Sequence, residues 1–493
     1  MKYSFAPSLD KRERADLLVI PFWEGPSEAA ELGSLKESLR AALASGDYKG
    51  KSGEGALVYV EGEKEERLLL LGLGRVEKAT PESIRRAYSN AVKTAHSKKA
   101  KSLNLLFPRS RALGREEMLR GVCEGILLAN YAFTHLKGDS LKENPVILLE
   151  KVGWIGLDRK DDEFLQKIQT IVGGVYFARE LVNGNADFVT PRMLAETAQS
   201  LEKLSPKLKA SIYDKKWLQQ QKMGLILAVS RASTLDPYLI QLSYKGNARS
   251  KEHIVLVGKG VTYDTGGLSL KTPDGMVLMK SDMAAAAAVL GAVQTAAALN
   301  LKVNVTALVP SVENAIGPAS YKLGDVYRSY SGKTIEVNNT DAEGRLILAD
   351  ALSYAVQNLK PTHLIDLATL TGNIILALGE EMSGLFTVDE EIAGDLSAAS
   401  ASTAELLWRM PIHHDYRDSL KSDIADLINT GGREAGAIKA ALFLQEFVGS
   451  VPWAHLDIAG PTYWLRPRYY HPTKATGYGV RLLVEFLERR EAK

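Results

Sequence analysis

The chain contains one cysteine, Cys123, among its 493 residues. A single cysteine excludes a framework of internal disulfides and favours a reducing compartment. Cys123 lies in an apolar stretch with no second cysteine nearby, which is typical of core packing rather than of a reactive thiol. The first residues also lack the apolar centre of a secretion signal. We therefore expect a cytoplasmic protein.

An excess of charge of one sign is also missing. The chain has 61 lysines and arginines against 59 aspartates and glutamates, which gives a formal net charge of +2. A near-neutral chain of this length gives no electrostatic reason to bind nucleic acid or an anionic membrane. We also expect that nothing in the chain spans a membrane.

Several catalytic motifs are absent. There is no His-Glu-x-x-His zinc helix and no Gly-x-Ser-x-Gly serine elbow. The Gly-Lys-Gly sequence at residues 258–260 lacks the spacing of a phosphate-binding loop, and Gly72-Leu-Gly lacks the third glycine of the dinucleotide fingerprint. We interpret His413, His414 and His455 as structural or surface residues. These absences leave carboxylates and lysines as the candidates for chemistry.

Short apolar strands alternate with helical patterns along the whole chain, which indicates an α/β protein. The length favours two domains. We predict that each has a mostly parallel or mixed sheet flanked by helices, and that the larger C-terminal domain is catalytic. The predicted domains are residues 1–170 and residues 171–493.

Four carboxylates lie on loops at strand ends or helix starts: Asp264, Asp282, Asp341 and Glu343. In an extended stretch, Asp341, Glu343 and Arg345 would point to one side. Four carboxylates brought together repel one another unless cations neutralise them, and two divalent metals are the usual answer in hydrolytic sites. Spacing alone leaves two interpretations open, a metal cluster or solvated loop residues.

Residues 339–346 read Asn-Thr-Asp-Ala-Glu-Gly-Arg-Leu, and in this stretch the chain resembles the leucine aminopeptidase (cytosol aminopeptidase) family of metallopeptidases. The upstream family pattern also matches, through Lys259, Asp264, Lys271 and Asp282. The similarity covers roughly residues 175–490, so it implies that the domain of residues 171–493 carries out metallopeptidase catalysis and that the domain of residues 1–170 serves assembly or regulation. One departure is Ala284-Ala285, where the family usually has two glycines, and it leaves metal affinity and substrate preference open.

The resemblance implies a two-metal site. Asp264 and Glu343 would bridge two divalent ions, Lys259 and Asp282 would complete one site, and Asp341 would complete the other. The expected ions are Zn²⁺ or Mn²⁺, with Mg²⁺ as a further candidate. A water molecule bridging the metals would be the nucleophile. A lysine can ligate a metal only when it is neutral, which requires its pKa to fall sharply.

The resemblance also assigns the remaining roles. Lys271 would stabilise the oxyanion, and Arg345 would hold a bicarbonate that moves the proton, because a guanidinium cannot act as a base. The expected substrates are peptides with a free N-terminus, with a leucine-like preference, and the expected assembly is a homohexamer. The residues matching the family's side-chain pocket are Met279, Thr369, Gly372 and Ala475.

Two other functions are alternatives to a peptidase. A DNA-binding regulatory role finds little support, because the basic residues are not concentrated in one domain. A metal-dependent phosphoesterase would also use clustered carboxylates, but it would not require a free amine on its substrate.

Overall fold

The computed structural model describes residues 1–25, 32–33 and 35–491. The chain forms two compact units: Met1–Val172 with Arg466–Thr473, and Gly173–Leu465 with the chain from Lys474 onward. The sequence-based division assigns residues 466–473 to the C-terminal domain, whereas they belong to the first unit. Side-chain contacts explain this difference. The Arg86 guanidinium lies 3.6 Å from the centre of the Tyr469 ring, and the Tyr470 hydroxyl donates to Glu82.

The first unit is built on a sheet of six strands. They are β1 (Lys2–Ala6), β2 (Leu17–Phe22), β3 (Gly55–Tyr59), β4 (Arg67–Gly72), β5 (Ser102–Leu106) and β6 (Lys151–Ile155). Its helices are α1 (Leu35–Ala44), α2 (Pro81–Ser97), α3 (Arg115–Ala129) and α4 (Asp139–Glu143). The strand order is β1-β6-β5-β2-β4-β3, and every neighbouring pair is parallel except β3 with β4. Cys123 is buried in α3, and burial raises the pKa of its thiol to about 12, as expected for a core residue.

The second unit begins within α5 (Asp162–Asn183). Its further helices are α6 (Pro191–Leu201), α7 (Lys215–Gln220), α8 (Gly224–Ser230), α9 (Pro273–Met276), α10 (Ala284–Ala298), α11 (Glu343–Tyr354), α12 (Gly372–Leu378), α13 (Glu390–Thr403), α14 (Gly436–Gln445) and α15 (Val480–Glu491). Its strands are β7 (Leu208–Tyr213), β8 (Tyr238–Lys245), β9 (Ile254–Gly258), β10 (Gly260–Asp264), β11 (Asn304–Asn314), β12 (Val326–Arg328), β13 (Thr334–Glu336), β14 (His363–Ala368), β15 (Met382–Phe386), β16 (Leu406–Arg409), β17 (Leu427–Ile428), β18 (Trp453–Asp457), β19 (Tyr463–Trp464) and β20 (Lys474–Ala475).

The main sheet of this unit has nine strands among the described residues, in the order β16-β15-β18-β14-β9-β11-β8-β7, with β10 beside β11. The central strands β18, β14, β9 and β11 are parallel neighbours, and antiparallel pairs lie toward both edges. The predicted α/β class, with a parallel or mixed sheet in each of two domains, is confirmed. The carboxyl ends of β9 and β14 lie side by side, where ligands bind in sheets of this kind.

The alanine-rich helix α10 bears on the expectation about membrane spans. The segment Pro273–Ala298 is long and apolar enough, by length and composition, to cross a membrane. However, 72% of its most apolar window is buried within the fold, where it packs against β9, β11 and α15. A core helix of this kind passes the same test of length and composition. A segment of this length and composition therefore exists, because a mostly buried helix needs few polar residues, but it does not contradict the expectation that nothing spans a membrane.

The stretch around Glu343 differs from the extended conformation considered above. Residues 340 and 341 form a turn, and α11 begins at Glu343. Asp341, Glu343 and Arg345 therefore do not alternate along a strand. A tight turn followed by the first helical turn brings their side chains to the same place.

Candidate active site

Lys259 lies where several segments of the second unit meet. It stands between β9 and β10 with its side chain buried, and its ammonium group is 2.9 Å from Asp282 Oδ2 and 2.7 Å from Glu343 Oε1. The same group donates a hydrogen bond to the Thr369 carbonyl at 3.0 Å. Asp282 precedes α10, Glu343 begins α11 and Thr369 follows β14. One lysine thus joins the ends of two strands to the starts of two helices.

Asp264 ends β10, and its carboxylate is held by several donors. Its Oδ1 accepts hydrogen bonds from the Gly266 backbone N–H at 2.8 Å and from Asn314 Nδ2 at 2.7 Å. Its Oδ2 is 2.9 Å from the ammonium group of Lys271, which also pairs with Asp341. Lys271 therefore lies between two carboxylates that the sequence places 77 residues apart.

Asn429 holds the turn that carries Asp341. Its side-chain oxygen accepts from the backbone N–H groups of Asn338 at 2.9 Å and Asn339 at 3.3 Å, and its Nδ2 donates to the Asn339 carbonyl at 2.7 Å. Its own carbonyl accepts from Arg345 Nη1 at 2.8 Å. Asn429 is fully buried, so it fixes the turn and the guanidinium with respect to each other.

Three acidic side chains could hold a metal ion together. One carboxylate oxygen from each of Asp264, Asp341 and Glu343 lies within 4.8 Å of the others. Among the described residues, Glu343 Oε2 is buried and accepts no hydrogen bond. Leaving a buried carboxylate oxygen unsatisfied is costly, and carboxylates are good ligands for Mg²⁺ and Mn²⁺. This donor set therefore fits divalent cations.

Crowding of negative charge shifts the titration of these carboxylates. Burial, together with the nearby Asp264 carboxylate, raises the pKa of Glu343 above its ordinary value, although Lys259 opposes the shift. Burial and Asp264 likewise raise the pKa of Asp282 and of Asp341. Like charges held this close favour the protonated forms unless a cation compensates them.

The two lysines supply positive charge to the same cluster. Burial disfavours the charged form of Lys259, but the carboxylates of Asp282, Glu343 and Asp264 outweigh burial and raise its pKa above the ordinary value. Lys271 has a raised pKa for the same reasons, with Asp264 as its strongest partner. Lys259 could ligate a metal only after losing its proton, and a dication beside it would favour that loss.

The loop after β14 is fixed by carboxylates at both ends. The Thr369 hydroxyl donates to Asp282 Oδ1 at 2.6 Å. Two residues further on, the Thr371 hydroxyl donates to Asp457 Oδ2 at 2.6 Å, and Asp457 Oδ1 accepts from the Leu370 backbone N–H at 3.1 Å. The buried Asp457 therefore holds the loop that contacts Lys259.

These side chains face a cavity of about 830 Å³ in the second unit. The predicted site residues that line it are Lys259, Asp264, Lys271, Met279, Asp282, Asp341, Glu343, Arg345, Thr369 and Gly372. Ala475 does not line it. Ala475 is fully buried on β20, where its N–H donates to Asn183, and the residue that pairs with it, Tyr463, lines the cavity instead.

Sequence reasoning missed three residues that hold the site. Asn314 ends β11 and Asp457 ends β18, so each is a polar residue at the carboxyl end of a strand. That position could have identified them, because ligand sites form at this edge of such sheets. Asn429 follows the two-residue strand β17, and no pattern in the sequence points to it.

Comparison with known proteins identifies the family. The profile of the cytosol aminopeptidase family's catalytic domain matches residues 176–484, and that of its N-terminal domain matches residues 19–140. A probable cytosol aminopeptidase of Protochlamydia amoebophila (strain UWE25) is 48% identical over 493 residues, covering 99% of each chain. The chain belongs to the cytosol aminopeptidase family. It is an aminopeptidase, and its substrates are peptides.

Other relatives of this aminopeptidase agree. A probable cytosol aminopeptidase of Chlamydia trachomatis serovar A is 44% identical over 491 residues, covering 98% of each chain. Among solved structures, a mutant of tomato leucine aminopeptidase matches with a TM-score of 0.90 and 35% identity, over 99% of this chain and 96% of that one. The bottromycin maturation enzyme BotP in complex with Mn matches with a TM-score of 0.86 and 30% identity, over 97% of this chain and 100% of that one. The resemblance drawn from residues 339–346 is confirmed.

Proposed function

We propose that this aminopeptidase uses two divalent metal ions to remove N-terminal residues, with a leucine-like preference, from peptides. The observation that carries the proposal is the convergence of Lys259, Asp264, Asp282, Asp341 and Glu343 on one cavity. These residues would hold the two ions. When bound, the ions would lower the pKa of a water molecule and polarise the peptide carbonyl. Zn²⁺ and Mn²⁺ are the proposed ions, with Mg²⁺ as a further candidate.

Lys271 is proposed to stabilise the oxyanion that forms on the scissile carbonyl. Its side chain is mostly buried, lines the cavity, and has a raised pKa, so it stays cationic near neutral pH. A fixed cation in a site with little water stabilises developing negative charge more strongly than one in bulk water.

Arg345 is proposed to hold a bicarbonate, which would accept and return the proton. Burial lowers the pKa of its guanidinium to about 10, against the attraction of Glu343 and Asp457, so it remains charged near neutral pH. Its Nη1 is held by the Asn429 carbonyl, while its buried Nε has no hydrogen-bond partner among the described residues. A planar guanidinium with an unused N–H donor can bind a small oxyanion.

The substrate's first side chain is proposed to contact Met279, Thr369 and Gly372, which line the cavity. Ala475, which matches the family's pocket in sequence, would act indirectly through Tyr463, its neighbour on the paired strand. We further propose a cytoplasmic location, in line with relatives named cytosol aminopeptidases.

A homohexamer is the proposed assembly. Exposed apolar side chains such as Val277 (70% exposed) and Leu376 (87% exposed) support burial against other subunits.

Two lysine variants test the proposed division of roles. Lys259→Ala removes a proposed ligand, so it should retain less metal after dialysis, and its remaining activity should depend more steeply on added Mn²⁺. Lys271→Ala removes no proposed ligand, so it should retain its metal but lose kcat by about 10²–10³-fold, as is typical for the loss of an oxyanion donor. Added metal should not restore that activity.

Elemental analysis of bound metal alongside kinetics separates this proposal from a simpler one. If both lysines only neutralise carboxylates, both variants should lose metal and activity modestly and to the same degree. Equal metal loss in Lys271→Ala and Lys259→Ala would mean that the roles are wrongly assigned, even though the chain is a peptidase.

A further inference from the structure

A second cavity lies in the first unit, at one end of its sheet. Its volume is about 570 Å³. Part of its lining lies at the ends of three neighbouring parallel strands: Ser8 and Leu9 come shortly after β1, Phe107 follows β5, and Gly156 follows β6. Ligands of open parallel sheets bind beyond the carboxyl ends of the strands, and the volume is within the usual range of small-molecule sites.

The neighbouring part of the same sheet edge is filled by the chain itself. Beyond the ends of β2 and β4, Gly53 N–H bonds to the Gly72 carbonyl and Gly74 N–H bonds to the Gly50 carbonyl. A Cβ atom on Gly72 would lie only 2.0 Å from the Lys51 carbonyl oxygen. Residues 50–54 therefore leave no space there, whereas the ends of β1, β6 and β5 remain open.

The lining of this cavity combines apolar side chains with positive charge. Leu9, Phe107 and Met118 contribute buried apolar surface. Among the described residues, the charged members of the lining are two arginines, Arg109 and Arg115, and no acidic residue of that part of the chain lines it. Such a lining favours a ligand that has both an apolar body and a negative charge.

Arg115 is held in a fixed position at the cavity rim. It is the first residue of α3, where the helix dipole adds partial positive charge. Its Nη2 donates to both oxygens of Asp161, at 2.7 and 2.9 Å, and its guanidinium lies 5.6 Å from the centre of the Phe107 ring. Asp161 offsets part of the charge but also orients the guanidinium, which reduces the entropy lost when an anion binds.

None of the described residues of this lining is suited to acid–base or nucleophilic chemistry. They include no histidine, cysteine, lysine, aspartate or glutamate, and the Ser110 hydroxyl accepts hydrogen bonds from the backbone N–H groups of Ala112 and Leu113. We propose that this cavity of the first unit is a binding site for a small organic anion with an aromatic or branched apolar group, separate in purpose from peptide hydrolysis.

Calorimetric titration of the full chain tests this site with defined probes. Phenyl phosphate and phenylacetate supply an aromatic ring with a phosphate or a carboxylate, and benzyl alcohol supplies the ring without charge. We expect at least one of the two anions to bind with a dissociation constant below about 1 mM, and benzyl alcohol and inorganic phosphate to bind at least ten-fold more weakly. The stronger of the two anions indicates which acid group the natural ligand carries.

Variants locate the bound probe within the chain. Arg115→Ala and Arg109→Ala should each weaken binding about ten-fold, because each removes a charged hydrogen-bond donor. Ser8→Trp should block the cavity from an exposed position. Arg111→Ala is the matched control, because Arg111 is an exposed arginine of the same loop that pairs with Glu77 and does not line the cavity. Unchanged hydrolysis of a leucyl amide confirms that each variant is folded.

Three results would overturn the proposal. The first is the absence of binding by both anions at 10 mM, which is about ten times the upper limit expected for the dissociation constant. The second is binding that persists unchanged in Arg115→Ala and Ser8→Trp, which would assign the probe to another part of the chain, such as the active site. The third is equal binding of benzyl alcohol and the anions, which would remove the role of the arginines.

Discussion

Gly344→Ala tests the position of Lys259 without changing any side chain of the proposed site. Gly344 is the second residue of α11 and lies directly against the end of Lys259. A Cβ atom on Gly344 would be 2.8 Å from Nζ and Cε of Lys259 and 2.9 Å from its Cδ. Ordinary contact begins at 3.4 Å, so the end of the lysine must move by about 0.6 Å, the difference between these distances.

Lys259 has little freedom to make that movement. Its ammonium is held between 2.7 and 3.0 Å by Asp282, Glu343 and the Thr369 carbonyl, and its side chain is 3% exposed. Displacing it should shift one proposed metal ligand, and a misplacement of about 1 Å can cost about 10²-fold in rate. We therefore expect kcat/KM to fall by about 10–10²-fold and Mn²⁺ affinity to fall with it.

The variant should nevertheless fold, because alanine is favoured over glycine inside a helix by about 1 kcal/mol. The matched control is Gly394→Ala in α13, where a Cβ atom would meet nothing within 4 Å. The control should keep full activity and gain up to about 1 kcal/mol in free energy of unfolding. The assay is leucyl amide hydrolysis with metal content measured in parallel. Wild-type activity and metal content in Gly344→Ala would show that activity and metal binding do not depend on the exact position of Lys259.

Two further predictions concern stability and assembly. Asp350 is fully buried and accepts backbone hydrogen bonds from Leu225 and Ile226, each at 3.0 Å, and from Tyr330 at 2.7 Å. Asp350→Ala should therefore lower the free energy of unfolding by about 3–5 kcal/mol, as measured by denaturant titration. Asp350→Asn keeps one acceptor oxygen, so it should lower the free energy of unfolding less. Equal stability of the wild type and both variants would contradict this. Sedimentation velocity at micromolar concentration should give a hexamer, and a fully active monomer would rule that assembly out.

Local patterns predicted most of the fold because the strands of both sheets are short apolar runs between helical patterns. Helix α2 (Pro81–Ser97) shows such local signals, because the Thr80 side chain caps it and Pro81 begins it. There is a physical reason why the segment Pro273–Ala298 has the length and composition of a membrane span. A helix buried on all sides needs no polar residues, so its composition alone does not distinguish it from a membrane span.

The candidate site was predictable where one motif supplies several of its residues. The family signature at residues 339–346 contains Asp341, Glu343 and Arg345, although their spacing suggested an extended stretch rather than a turn and a helix start. Asn429 could not be found in this way. It acts through backbone groups about 90 residues away, and only the folded chain brings these together.

Hydrolysis by this aminopeptidase should require the free amine of the substrate's first residue. The most direct test of this requirement compares leucyl amide with N-acetyl-leucyl amide, at equal concentrations and with Zn²⁺ or Mn²⁺ present. Acetylation removes the free amine and adds bulk in a confined site, so the blocked substrate should lose most of its turnover. We expect rapid hydrolysis of the free substrate and little hydrolysis of the blocked one. Equal turnover of the two substrates would contradict this requirement.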